Sequence, residues 1–449
     1  MSAGRSWIPR FALGSAAAVV AAGLWTAPAA ADTEHTCSPA DSRPVCQVGS
    51  GGTGTAAFVD PTVVIGGAEH VELSEHVYVG PFAQLDARNG GVHFGPESNA
   101  QDNVAVTGGA ASGAARTAAL KRLGLTPTSG VKTGERIILA HGATVRGPAR
   151  LGVGPVLHVP DGHGGEVEDS GVFVSFGALV DGAILERDTG LSALSRIGPG
   201  VRLRTGMLVL PGKNVTTQQQ ADDPALGKVR PITEADREFN AGVVEVNVGL
   251  AREYSNMANE SLTNVRGINF DPGGNPFDRG RDLPHVGSSL CAGEEVRDPD
   301  FRNRIIGDVC FEDPMWRLNR KMGERISLRA DEGGPFAIGT INRMDDQVIF
   351  HALEHNELMV GNRVSYGPNV IVHGGGRPQV DPTTGLAAPT VVGNDVQLRA
   401  GSVVFRSLIR NNAIVGQRSV VVGSELRVGQ KIQNKTIYAN DAVFGAVEW

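Results

Sequence analysis

The sequence reads as a mainly β protein built from two parallel β-solenoids, with one α-helix packed on the first. Three observations predict this. Aliphatic residues recur six apart, glycine is abundant (60 of 449 residues) while aromatics make up only 5%, and the pattern occurs twice in separate stretches. A period of six places one short strand and one corner in each unit with a single side chain pointing inward, so that three units close a coil of about 18 residues. Glycine suits tight corners, and few aromatics suit a narrow interior.

The repeats run Leu139, Val145, Leu151-Gly152 in one stretch and Val360-Gly361, Tyr366, Val372 in the other. Further units are Val79-Gly80, Phe94-Gly95, Ile197-Gly198, Val392-Gly393, Val415-Gly416 and Val428-Gly429. An antiparallel sandwich would need period-two alternation and turns every 8 to 12 residues or so, which fits less well. After the first set of coils, Thr233 and Asp236 have the spacing of a helix start. Phe239, Val243, Val246 and Leu250 then mark one apolar stripe, which predicts a helix of about 25 residues lying on the coils.

Residues 1–31 carry Arg5 and Arg10, an apolar run over 11–24 and Ala29-Ala30-Ala31 before Asp32, the layout of a cleaved secretory signal. The competing membrane-anchor reading is disfavoured by a short, Ala/Gly-rich run with no stop-transfer pattern. The expected location is therefore extracytoplasmic, secreted or in the cell envelope, with no membrane attachment after cleavage. The order predicted is signal 1–31, N-terminal segment 32–56, first β-helix with its helix 57–260, linker 261–321 and second β-helix 322–449. Cys37, Cys46, Cys291 and Cys310 fall outside the repeats, and their even number fits an oxidising compartment. Of three possible pairings, the close spacings favour Cys37 with Cys46 and Cys291 with Cys310. A net charge of −7 with scattered basic residues offers no nucleic-acid or anionic-membrane footprint.

Residues 329–332 read Arg-Ala-Asp-Glu and residues 351–354 read His-Ala-Leu-Glu, followed by the hexads from Val360 to His373. His351 and His373 each follow an inward residue, Phe350 and Val372, and lie 373 − 351 = 22 positions apart. One coil plus a short loop accounts for that spacing, so both imidazoles share one face of adjacent coils.

These motifs resemble the gamma-class carbonic anhydrase family, whose fold is a left-handed hexapeptide β-helix. The resemblance implies that His351 and His373 are metal ligands, while Pro368 stands where the family has a third. The first stretch is similar to the same family: residues 138–146 keep that third histidine as His141, with Thr107 and Arg146 where the second has His351 and His373. The family shares each site across a subunit interface, which implies one composite site of His141, His351 and His373 between two diverged copies. The implied metal is zinc, with cobalt or iron as alternatives, and the implied reaction is reversible hydration of carbon dioxide to bicarbonate by metal-bound hydroxide.

By the same resemblance, Ser98-Asn99-Ala100-Gln101-Asp102 supplies Asn99 and Gln101 to orient water and substrate, and Glu332 with Glu354 to carry the proton. Arg329 and Asp331 are implied to form an interface ion pair. The second copy has Arg343 and Asp345 at the Asn/Gln places, and the first has Asp86 and Arg88 with the charge order reversed, so each role is filled once. The family's oligomers imply a homo-oligomer through β-helix faces, although two unlike copies cannot alternate around a ring of three. If each copy instead trimerises with itself, the composite site does not form. Residues 108–135 form a longer insertion that would narrow access if it covered the metal. A secreted scaffold without catalysis is the main alternative. A hexapeptide acyltransferase is disfavoured because its coenzyme is cytosolic.

Overall fold

The computed structural model describes residues 57–109, 113–160, 166–169, 171–260, 302–307, 309–332, 336–353, 356–377 and 388–449. The signal, the N-terminal segment, Cys37, Cys46, Cys291 and Glu354 lie outside them. Two three-sided parallel β-helices account for nearly all the described strands. The first has sheets of eight, seven and six strands, and the second sheets of eight, six and five.

The period of six produces the expected inward ladders. Leu139, Val145 and Leu151 fall on the three sheets of the first β-helix and are at most 1% exposed. Successive coils stack in register, Val79 beside Ala100, Ala100 beside Leu139, Leu139 beside Val174 and Val174 beside Leu191. Phe350 and Val372 do the same in the second β-helix. Each buried aliphatic of this kind contributes roughly 1.5–3 kcal/mol. Backbones approach closely where coils turn: a Cβ on Gly95 would lie 2.3 Å from the Gly134 carbonyl oxygen, so only glycine fits. One expected unit is out of register, because Val428 is 65% exposed and Leu426 takes the inward place at 0%.

The second β-helix starts earlier than residue 322. Strands Arg304–Gly307 and Val309–Phe311 pair with Ser327–Ala330 and Phe336–Ile338, inside the stretch read as linker, and Met315–Lys321 is helical. Their aliphatic-glycine pair, Ile306-Gly307, does not flag the register, because the inward residue is Ile305.

The predicted helix spans Glu234–Glu260. Its start is capped reciprocally, with Thr233 N–H donating to Asp236 Oδ2 at 2.7 Å and Asp236 N–H to Thr233 Oγ1 at 3.3 Å. Leu250, Ala251 and Tyr254 pack on Phe58 and Tyr78 of the first β-helix. No helix among the described residues is long and apolar enough to cross a membrane.

The two β-helices meet through their eight-stranded sheets, called here the inner faces. Ile138, Ala140, Phe176 and Leu194 pack on Ile349, Ile371, Val403 and Ile437. At one end Arg304 Nη2 lies 3.0 Å from Asp60 Oδ2, both buried. At the other, Glu448 pairs with Lys213 at 3.3 Å, and Trp449 Nε1 donates to the Leu194 carbonyl at 2.7 Å. These inner faces are not equivalent in the repeat. Arg146 lies on the seven-stranded sheet of the first β-helix, whereas its counterpart His373 lies on the inner face of the second. The contact is therefore head-to-tail, and the unpaired faces carry polar residues such as Asp86, Thr107 and Asp181, or Asn342, Ser365 and Lys431.

Candidate metal centre

His351 lies on Ile349–Ala352 and His373 on Ile371–Gly374, directly beside each other in register. Arg329 is the next rung on one side and Phe405 on the other. His141 occupies the corner after Ile137–Leu139 of the first β-helix, where Ile138 points into the interface. The structure brings all three histidines together, each at most 3% exposed.

His141 Nε2 lies 3.1 Å from His351 Nδ1, which lies 3.2 Å from His373 Nε2. Nitrogens sharing a tetrahedral zinc at 2.0–2.1 Å would be about 3.4 Å apart, so the spacing fits a common metal. Oxygens face the opposite ring nitrogens. Asp102 Oδ2 is 2.8 Å from His141 Nδ1, Glu332 Oε1 is 3.0 Å from His351 Nε2, and the Gly374 carbonyl accepts from His373 Nδ1 at 2.5 Å. The two carboxylate contacts are close but bent away from the ring N–H direction. These oxygens accept only, so they favour protons on the rear nitrogens; with a metal bound, three lone pairs would face one another, whereas without it His351 keeps a second proton. That is the arrangement in which outer partners orient histidines for a metal. The donor set therefore fits a zinc-type ion.

Electrostatics agree with a place for a cation. Burial lowers the His141 pKa to about 4 despite Asp102. Burial, with charge on His351, holds His373 well below the ordinary range. Burial also acts to lower His351, but the Glu332 carboxylate, with contacts to Asp331 and Glu332, outweighs it and raises the value to about 9. Without metal, one proton on His351 supplies the positive charge.

Arg329 forms more than a pair. Its Nη1 lies 2.5 Å from Asp331 Oδ2, while Nε and Nη2 reach across the interface to Asp102 at 2.9 and 3.1 Å. Burial would raise the Asp102 pKa, but Arg329 and His141 hold it well below the usual carboxylate range. Asp331 also accepts from Tyr254 of the long helix at 2.5 Å. Asp102 and Tyr254 had no role assigned from sequence. Asp102 was visible as the last residue of its motif, but Tyr254 carried no signal beyond its helical stripe.

Gln101 and Glu332 line a cavity of about 270 Å³ that opens on His351 and His373, walled by Phe173, Phe176, Phe239 and Leu353. Asn99 is fully buried on the inner face with both amide atoms unpartnered. The described part of the insertion does not lie over this cavity. Its helix Ala114–Arg122 sits on the far side of the first β-helix, Arg116 pairing with Asp181 at 2.6 Å beside Arg146, and none of its described residues lines the cavity.

No protein-family model matches the chain. It is similar to a protein named carbonic anhydrase from Methanosarcina thermophila, 28% identical over 148 residues, 32% of this chain and 58% of the relative. It is also similar to the carboxysome assembly protein CcmM of Nostoc, 26% identical over 138 residues, 31% of this chain and 23% of that protein. The chain thus spans less than two thirds of either relative. Fold and site together define a hexapeptide β-helix protein with a histidine-lined interface. Within that class, the chain is related to the gamma-class carbonic anhydrases.

Proposed function

We propose that the chain is an exported gamma-carbonic-anhydrase-like metalloenzyme that hydrates carbon dioxide reversibly at the site between its two β-helices. The observation that carries this reading is the convergence of three buried histidine nitrogens from both β-helices, each ring held from behind by an oxygen.

His141, His351 and His373 would hold the metal, zinc before cobalt or iron. When bound, such an ion supplies Lewis acidity that makes hydroxide available near neutral pH. Asp102, Glu332 and the Gly374 carbonyl fix the rings. Gln101 presents its amide at the cavity to orient substrate oxygen, with Asn99 behind it. The phenyl walls favour an apolar gas over water. Glu332 lies where it can accept the released proton, and Glu354 would pass it to solvent. Arg329 and Asp331, with Asp102, lock the interface and do no chemistry. In this reading all three histidines come from one chain, so a homo-oligomer through the remaining faces would not be needed to bring them together.

The test is metal content of the purified full chain beside His141→Ala, His351→Ala and His373→Ala, followed by a carbon dioxide hydration assay. About one ion per chain, lost in all three variants, supports the reading. Metal indifferent to His141 sinks it. The likeness to a carboxysome assembly protein favours a second reading, a metal-free scaffold, for which no ion would be retained.

A further inference from the structure

The cavity holds a cation that the proposed hydration chemistry does not use. Arg406 follows strand Val403–Phe405, whose Phe405 sits beside His373, so its side chain borders the cavity one rung from the histidines. The buried arginines of the interface are matched by carboxylates: Arg304 by Asp60, and Arg329 by Asp102 and Asp331. Arg406 makes no ion pair among the described residues, and its buried Nε has no hydrogen-bond partner. Glu238 and Glu332 also line the cavity but neither pairs with Arg406. A half-buried guanidinium with no ion pair among the described residues costs stability, and burial draws its pKa down.

Its position is fixed by packing. The Phe239 ring lies 5.4 Å and the Phe405 ring 4.8 Å from the guanidinium carbon, so aromatic faces hold the cation. Gly375 makes room for it, since a Cβ there would stand 2.9 Å from Arg406 Nε and 2.8 Å from the Phe405 ring. The apolar wall continues to the histidines, Phe176 lying 5.0 Å from His373 and 5.8 Å from His141 between ring centres. At about 270 Å³ the cavity is several times the ~30 Å³ that one water occupies in the liquid, so bicarbonate would leave most of it empty.

We propose that Arg406 anchors the carboxylate of a small organic acid in this cavity, with the acid's apolar body against Phe173, Phe176 and Phe239. The catalytic meaning of that assignment rests on the metal reading above. The anion subsite itself rests on different residues. The substrate or inhibitor class selected is an aryl or alkyl monocarboxylate, held with its far end toward the histidines.

The experiment follows fluorine NMR line broadening of 4-fluorobenzoate on the full zinc-treated chain. The competitors are acetate, bicarbonate and the neutral 4-fluorobenzyl alcohol. The proteins are wild type, Arg406→Gln, Arg406→Lys and His141→Ala, with metal content measured on each. Expected are binding of 4-fluorobenzoate stronger than of acetate or of the alcohol, a loss of at least tenfold in Arg406→Gln, and partial retention in Arg406→Lys. His141→Ala is expected to keep binding although its metal is gone. Binding that survives Arg406→Gln but vanishes in His141→Ala would place the anion on the metal and overturn the subsite while leaving the metal reading intact. Bicarbonate binding without 4-fluorobenzoate binding also overturns it. Arg406-dependent binding in a chain that holds no metal would instead support the subsite and remove the hydration reading.

Discussion

The first β-helix keeps His141, Asn99, Gln101 and Asp102 on or beside its inner face and carries Thr107 and Arg146 on a polar outer one. The second keeps Arg329, Asp331, Glu332, His351 and His373 on its inner face, with Pro368 at the corner where a histidine would stand. On the proposed metal reading, each β-helix carries the half of the constellation that faces the other half, and the faces turned away carry neither.

The sharpest way to break this comparison is to rebuild the missing half. Thr107→His combined with Arg146→His restores two family positions, yet the chain is expected to bind no second metal, because no histidine corner faces them. A second equivalent in a metal titration would mean that copies associate through the outer faces.

Next in size is the shared carboxylate. Asp102→Asn leaves Arg329 with a buried, half-compensated charge, expected to cost about 3–5 kcal/mol in denaturant unfolding. It also removes the partner behind His141, lowering metal affinity about 10- to 100-fold. Of similar or smaller size is the inward ladder: Leu139→Ala should cost about 2–5 kcal/mol, whereas Val428→Ala, a repeat position by sequence alone, should stay within about 0.5 kcal/mol. Equal costs at the two would contradict the inward register.

The pH dependence of the metal-free chain separates the two contributions. His141, with a folded pKa of about 4, is neutral where the unfolded chain binds a proton, so stability rises as pH climbs from about 4 to the ordinary histidine value near 6.5. His351, raised to about 9, adds stability that is fully present below about 6.5 and lost as pH rises through 9. Thermal melting without metal should therefore be most favourable near pH 6.5. His351→Ala should remove the alkaline fall and leave the acid one. The smallest effect is expected from Arg146→Ala, within about 0.5 kcal/mol because its side chain is exposed.

The coils and the long helix were legible because period six and a helical stripe are local signals. Val428 shows the limit, since an aliphatic followed by glycine also occurs at a corner. Strands Arg304–Gly307 and Val309–Phe311 were hidden because Arg304 points out to Asp60 and the one glycine, Gly307, follows Ile306 rather than the inward Ile305. The His351 and His373 pairing followed from spacing, but His141 came only from the family likeness, since nothing local says which faces of two solenoids meet. The insertion was given a place over the metal only conditionally, and its helix binds Asp181 on the opposite side. Arg406 escaped notice because it lies just past the inward hexad position Val404, and no local signal says which corner arginine borders a cavity.

The head-to-tail contact has one more consequence. Covalent linkage turns what would be association between separate molecules into a unimolecular docking. Each half is then a permanent ligand of the other. A substitution that shifts either inner face moves His141 relative to His351 and His373, so the two β-helices are coupled through the contact.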